Sequence, residues 1–332
     1  MGIKIITDST SYIPAEYIEK FDIQVVSLNV FMDNESFREL DLDNKTFYTK
    51  MDALSEIPKS SQPVPDEMLN SFKNIVENGD SILGIFLSSN MSGTYSSANL
   101  IKNMILEDYP NADINIIDSK TNCMQMGFAV IEAARLAIDG KSMDEVIDRT
   151  NKVLSNSKFL FSPDTLDYLK KGGRIGSASA LLGSILQIKP ILTVTDGTTS
   201  VFTKVRTRKK AIDKLVSTFF EEIDKKGLGD VIVHHINCED EGIQLASYLE
   251  KIKYYCQNPV YRTCDRSSCW PWKYWYSFLH KHRLKNKSLR KISKAFYILS
   301  LFIYCHQLSF QIYMQQHIIR TLILIKLKLL KL

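Results

Sequence analysis

SILGIFLSSNMSGTYSSA, residues 81–98, is the stretch from which the fold is read. Its first seven residues form an apolar run too short for an ordinary helix, so they predict a strand buried on both faces. Polar residues 88–92 follow without a spacer, and helical spacing takes over around 95–105. A buried strand that feeds through a polar turn into a helix is half of a βαβ unit. Such strands belong to a parallel sheet whose faces are covered by helices.

The same pattern extends outward in both directions. Upstream, residues 2–6 are a short apolar run closed by Thr7, Asp8 and Ser9, and residues 23–31 read as a second strand. Helical spacing over 44–54, a loop at 60–63 and a helix opened by Pro65 over 65–77 lead back to residue 81. Downstream come a strand at 114–117 and a helix at 127–137. A second unit starts near Phe159, with a Gly-rich loop at 170–176, an apolar run at 188–194 and a strand at 199–207. A helix at 209–225, a strand at 231–237 and a helix at 240–251 complete it. The expected fold is α/β with two α/β domains, 1–157 and 158–252, the first built on a mostly parallel sheet.

Beyond that point the composition changes. Residues 262–332 hold 14 of the 42 Lys and Arg but one of the 37 acids, leaving 28 bases and 36 acids before them. The last glycine is Gly242, and all three tryptophans, Trp270, Trp272 and Trp275, fall within six residues. The first 261 residues alone read as a mildly acidic cytoplasmic protein. Their opening apolar run is too short for a signal peptide, and Cys123, Cys238 and Cys256 are too scattered for a disulfide framework.

Three polar loops, at 7–11, 60–63 and 88–98, fall at strand ends or just before helices. In an open parallel sheet, that edge is where ligands bind. Ser92, Gly93 and Thr94 precede a helix and offer hydroxyls and amides to an anionic head group. The ordinary use of such residues is capping and turn formation, and one loop alone implies no more than that. The chemistry on offer is hydrogen bonding, because before residue 262 the only histidines are His234 and His235. In a strand their side chains would face opposite ways, so no base is expected beside a serine nucleophile. Cations at 170–176 (KKGGRIG) and at Arg206, Arg208, Lys209 and Lys210 fit a phosphate or acidic partner, or ordinary exposed turns. No aromatic residues interleave them, which argues against nucleic acid.

Taken together, TDSTSYIP (7–14), KSSQPVP (59–65), LSSNMSGTYSSA (87–98), DS (118–119), DTLDYLKKGGRIG (164–176) and IKPIL (188–192) resemble the DegV family. The resemblance implies a two-domain protein that buries a long-chain fatty acid between its domains. It also implies that the chain is not itself an enzyme and needs no cofactor. In Gram-positive bacteria such a protein serves a separate fatty-acid kinase subunit, with transient contact at the membrane surface. By position, Ser60 and Ser92 would hold the carboxylate, supported by Ser61, Gly93 and Thr94, with Thr7, Asp8 and Ser9 as a supporting loop. Arg174, Arg206 and Lys209 would face the kinase. Neutral donors hold a carboxylate through charge-assisted bonds, and a tunnel gains roughly 0.8 kcal/mol per buried CH₂. The runner-up is a phosphotransferase or hydrolase using the Ser-rich edge as a phosphate site.

The resemblance also implies a C-terminal segment of the form IGPVIGxHxGPGxxGI, whose His reaches the head group. CWPWKYW, residues 269–275, stands where its end should be. Tryptophan has the single codon TGG, and dropping one base turns Trp270, Trp272 and Trp275 into glycines spaced G-x-G-x-x-G. The tail from about Lys253 is therefore expected to be out-of-frame translation, leaving the second domain without its last strands. Rival readings are a membrane span at 296–314, a zinc set of Cys264, Cys269, His280 and His282, and a basic arm.

Overall fold

The computed structural model describes residues 2–257 apart from 33, 55, 184–187 and 237. The tryptophan cluster, the 296–314 stretch and the Cys/His set lie outside the described residues.

A four-stranded parallel sheet forms the centre of the first unit. Its strands are β1 (Ile3–Asp8), β2 (Gln24–Val26), β6 (Ser81–Phe86) and β7 (Ile114–Asp118), in the order β2-β1-β6-β7. Every residue of β6 is buried, as its unbroken apolar run requires. Alternation distributes its side chains: Leu83 and Ile85 enter one apolar cluster, Ile82 and Phe86 the other. Helices α3 (Pro65–Glu77) and α4 (Thr94–Asp108) cover one face through Met68, Phe72, Ala98 and Ile101. The other face is closed by α1 (Ala15–Phe21) and α5 (Cys123–Ile138), through Met126, Val130 and Ala133. Against α5 lies α6 (Met143–Asn156), started by a capping box in which Ser142 and Glu145 satisfy each other's amides.

The expected strand at 23–31 is divided between two sheets. Gln24–Val26 pairs with β1, whereas β3 (Asn29–Met32) joins an antiparallel sheet with β4 (Glu35–Arg38) and β5 (Lys59–Ser61). The break has a local cause: the Leu28 amide donates to Ser9 Oγ at 2.9 Å, and the Leu28 carbonyl accepts from Glu39 N at 2.8 Å. With both backbone groups used elsewhere, the ladder cannot continue. Residues 60–63, read as a loop, begin inside β5. Helix α2 (Asn44–Asp52) backs this small sheet, and Val30, Met32, Phe47 and Met51 form its core.

The second unit carries an antiparallel sheet of β8 (Leu160–Phe161), β9 (Lys189–Thr195) and β10 (Thr198–Val205), ordered β10-β9-β8. Around it lie α7 (Asp167–Lys171), α8 (Arg208–Lys226) and α9 (Glu239–Gln257). The expected strand at 231–237 does not form a ladder among the described residues. Val231 makes a single bridge, and Ile232 and Ile236 are used for packing instead. The two histidines are therefore not a strand pair. His234 meets the Tyr12 ring edge-on at 6.1 Å, and burial pushes it down to about 4. The two units share one apolar cluster, in which Leu87 and Met91 meet Leu169, Ala178 and Leu192.

Candidate functional site

The site is assembled at the C-terminal edge of the parallel sheet, where β1, β6 and β7 end side by side. Thr7 Oγ1 donates across to the Ile85 carbonyl at 2.7 Å, fixing β1 to β6. Asp8 is fully buried and accepts from Thr10 N at 2.9 Å through one oxygen and from Leu87 N at 2.8 Å through the other. Burial raises its carboxyl from the ordinary 3.8 to about 6, against the opposing pull of these donors. Ser9 Oγ donates to Glu39 Oε2 at 2.7 Å, and burial holds Glu39 well above the usual carboxylate range. Thr7, Asp8 and Ser9 thus turn their polar atoms into the fold.

On the far side of β6, Asp118 mirrors Asp8. Its Oδ1 accepts from Ser89 N at 3.2 Å and its Oδ2 from Ser89 Oγ at 2.6 Å. The Ser88 amide is taken by the Thr121 carbonyl at 2.8 Å. The loop leaving β6 is therefore gripped by both neighbouring strand ends before it reaches Ser92.

Ser92 is half-buried, and its Oγ lies 2.9 Å from Thr94 Oγ1 at the start of α4. The Thr94 amide donates to the same Ser92 Oγ at 3.3 Å, at the positive end of the helix dipole, a setting that favours an anion. Ser60 and Ser61 are also half-buried and pair with Val30 and Asn29 of β3. Gln62 follows, its carbonyl accepting from Ser61 Oγ at 3.2 Å. The two serine loops touch: a Cβ on Gly93 would lie 2.3 Å from Gln62 Oε1. A side chain at 93 would therefore displace the end of Gln62, which marks the close approach between 60–62 and 92–94.

The expected partner-facing cations are placed differently from one another. Arg174 is half-buried, donates from Nε to the Met91 carbonyl at 2.9 Å, and burial lowers its pKa. Arg206 is exposed just ahead of α8, and half-buried Lys209 lies in the first turn of that helix. Arg208, between them, is engaged by Asp164 Oδ1 at 3.2 Å. Among the described residues no cluster of His, Cys, Asp and Glu could hold a metal ion, and no helix is long and apolar enough to cross a membrane.

Sequence reading missed Ser88, Asn90 and the Asp196–Gly197 turn. Ser88 Oγ donates to the Gly197 carbonyl at 2.8 Å and Asn90 Nδ2 to the Asp196 carbonyl at 3.0 Å. The signal available was Asp-Gly between two β-rich runs, the dipeptide of a two-residue hairpin with φ positive at both positions. Asp196 at +49° and Gly197 at +78° have those angles.

A DegV domain-containing protein of Clostridium acetobutylicum is 52% identical over 250 residues, covering 75% of this chain and 87% of its own. The crystal structure of DegV from Bacillus subtilis, a fatty acid binding protein, is similar with a TM-score of 0.68 and 35% identity, over 76% of this chain and 88% of that one. A stearic acid-binding protein from Eubacterium ventriosum gives a TM-score of 0.69 at 28% identity, over 75% and 87% of the two chains. The DegV family model, described as that of an uncharacterised protein, matches residues 2–262. With the family model matched over 2–262 and a relative 52% identical, the chain belongs to the DegV family.

Proposed function

We propose that this chain binds one long-chain fatty acid, holding the carboxylate between Ser60 and Ser92 and the acyl chain between the two units. The contact of Gln62 with Gly93 carries this reading, because it brings two hydroxyl-bearing loops from different sheets together at the N-terminus of α4. Ser61, Gly93 and Thr94 support the head group, and Thr7, Asp8 and Ser9 brace the floor beneath it. Next to Ser92, Met91 opens the apolar cluster shared with Leu169, Ala178 and Leu192, the surroundings an acyl chain needs. The fatty acid-binding relatives support the same ligand class.

The chain then presents the carboxylate to a separate kinase subunit. Arg174, Arg206 and Lys209 are the cations assigned to that partner, with Arg206 exposed just ahead of α8 and Lys209 in its first turn, where a cation opposes the helix dipole. The domains at 1–157 and 158–252 serve as the two walls of the site. A frame change near Lys253 accounts for the change of composition in the tail.

Organic extraction and mass spectrometry of the purified chain, beside a frame-restored version, tests the ligand. A stoichiometric fatty acid is expected at least in the restored chain; lipid in neither refutes the reading. Adding the fatty-acid kinase subunit and ATP to the loaded protein should give an acyl phosphate that hydroxylamine traps.

A further inference from the structure

The loop that presents Ser92 is held from the second unit as well as from its own sheet. Three contacts reach it across the boundary: Gly197 O to Ser88, Asp196 O to Asn90, and Arg174 to the Met91 carbonyl. The first two come from one β-turn. Its glycine is pressed so closely against the loop that a Cβ at 197 would lie 2.4 Å from Ser88 Oγ and 3.0 Å from Asn90 Nδ2. The fit is mutual, because Ser88 Oγ also accepts the Asn90 amide at 3.2 Å, so the turn acts on the loop's own internal hydrogen bond.

We infer that the Asp196–Gly197 turn is the positioning element of the head-group loop, with Asn90 and Gly197 as its positioning residues. Seating of the second unit then sets how well Ser92 meets an anion, although the turn does not touch it. Two consequences separate this role from general stability. The loop should loosen when the turn is altered while β6 beneath it stays closed. The loss should also fall on the charged head group and spare the acyl chain. The second consequence rests on the proposed placement of the carboxylate at Ser92; the first does not.

The test uses the full chain with Asn90→Ala, Gly197→Ala and Ser92→Ala. Asn90→Ala removes one exposed side chain and serves as the foldable variant should Gly197→Ala fail to fold. Hydrogen exchange of the peptide covering 88–94 is expected to accelerate about fivefold or more on loss of a hydrogen bond, with the 81–86 peptide unchanged. Binding of cis-parinaric acid should weaken by about five- to tenfold, and that of its methyl ester should change less than twofold. Unchanged exchange in the 88–94 peptide overturns the inference. So does faster exchange with undiminished acid binding in a chain where Ser92→Ala weakens it. If Ser92→Ala binds the acid as the parent does, the carboxylate reading falls, and faster exchange confined to 88–94 still supports the turn as the loop's anchor.

Discussion

The carboxylate of Asp8, last residue of β1, receives the amide of Leu87, the first residue beyond β6, at 2.8 Å. One strand end thereby fixes the exit of its neighbour, and the exit angle decides where Ser92 is delivered. The bond is made by a buried acid whose pKa stands at about 6 rather than 3.8. A carboxyl raised by folding keeps its proton longer in the folded chain. Its contribution is complete below the unfolded pKa and is lost as pH climbs through the folded one. Between about pH 4 and pH 7 this amounts to on the order of 3 kcal/mol. Asp8→Asn cannot accept all the Asp8 hydrogen bonds, so it should be less stable than the parent at pH 4, with the gap narrowing towards pH 7. Thermal melts of both chains across that range check it; a gap constant with pH would refute the assignment.

On the proposed placement of the carboxylate, Ser60→Ala and Ser92→Ala each remove a donor to a charged head group. Bonds of that kind contribute about 1.5–3 kcal/mol, so cis-parinaric acid should bind roughly 10- to 100-fold more weakly in each variant. Ser60 lies in β5, whose pairing with β3 uses the backbone, so that pairing survives the substitution. Loss of stability without loss of affinity would count against a head-group role.

Gly93→Ala places a methyl where Gln62 Oε1 stands, at 2.3 Å. Relief requires only the end of the flexible Gln62 side chain to swing aside, at a cost of about 1 kcal/mol or less. Shortening the obstacle by Gln62→Ala should recover most of that cost. A double-mutant cycle on chemical denaturation measures it; strictly additive effects would show that the two loops do not touch.

Two glycines of the KKGGRIG loop should behave unlike each other. Gly173 has φ +73° with open space around it, so Gly173→Ala should cost about 1 kcal/mol through backbone conformation alone. At Gly176, with φ +53°, a Cβ would sit 2.2 Å from the Thr199 carbonyl oxygen, a backbone atom that cannot swing aside. Gly176→Ala should cost several times as much, on the order of 3 kcal/mol or more. Equal melting temperatures for the two variants would show that this packing is absent in solution.

Sequencing the gene across codon 253 should reveal a missing or extra base relative to the frame that encodes G-x-G-x-x-G. A frame-restored chain should melt higher and bind less hydrophobic dye. An intact reading frame with an equal melting temperature would mean that the tryptophan-rich tail is the genuine sequence.

Much of this was legible before any coordinates. The 81–87 run declared a doubly buried strand, and every residue of β6 is buried. Pro65 marked the start of α3 because its missing N–H and fixed φ suit a first helical turn. What stayed hidden was non-local. Residues 23–31 look like one strand because its interruption comes from the Ser9 hydroxyl and the Glu39 amide, groups elsewhere in the sequence that consume the Leu28 backbone. The serines of 60–61 and 92 could be matched by motif, but the contact that joins them runs between Gln62 and Gly93 and has no local sign. Val231–Ile236 opens on a β-branched run and reads as a strand, yet Ile232 and Ile236 pack into the apolar cluster instead.

The loop after β6 is bracketed by Asp8 from one neighbouring strand and Asp118 from the other. One of those brackets comes from the first strand of the chain and the other arrives after the loop itself. During synthesis, therefore, residues 81–98 emerge able to form their strand and helix but not their final turn. The turn sets only when all three strands lie abreast, and its outer side only when the β9–β10 hairpin has been made, about a hundred residues later. A chain stalled with any of these pieces missing has a strand and a helix in place but no competent anion cradle. Occupancy by a ligand would in that way distinguish finished molecules from unfinished ones, and would stabilise only the former.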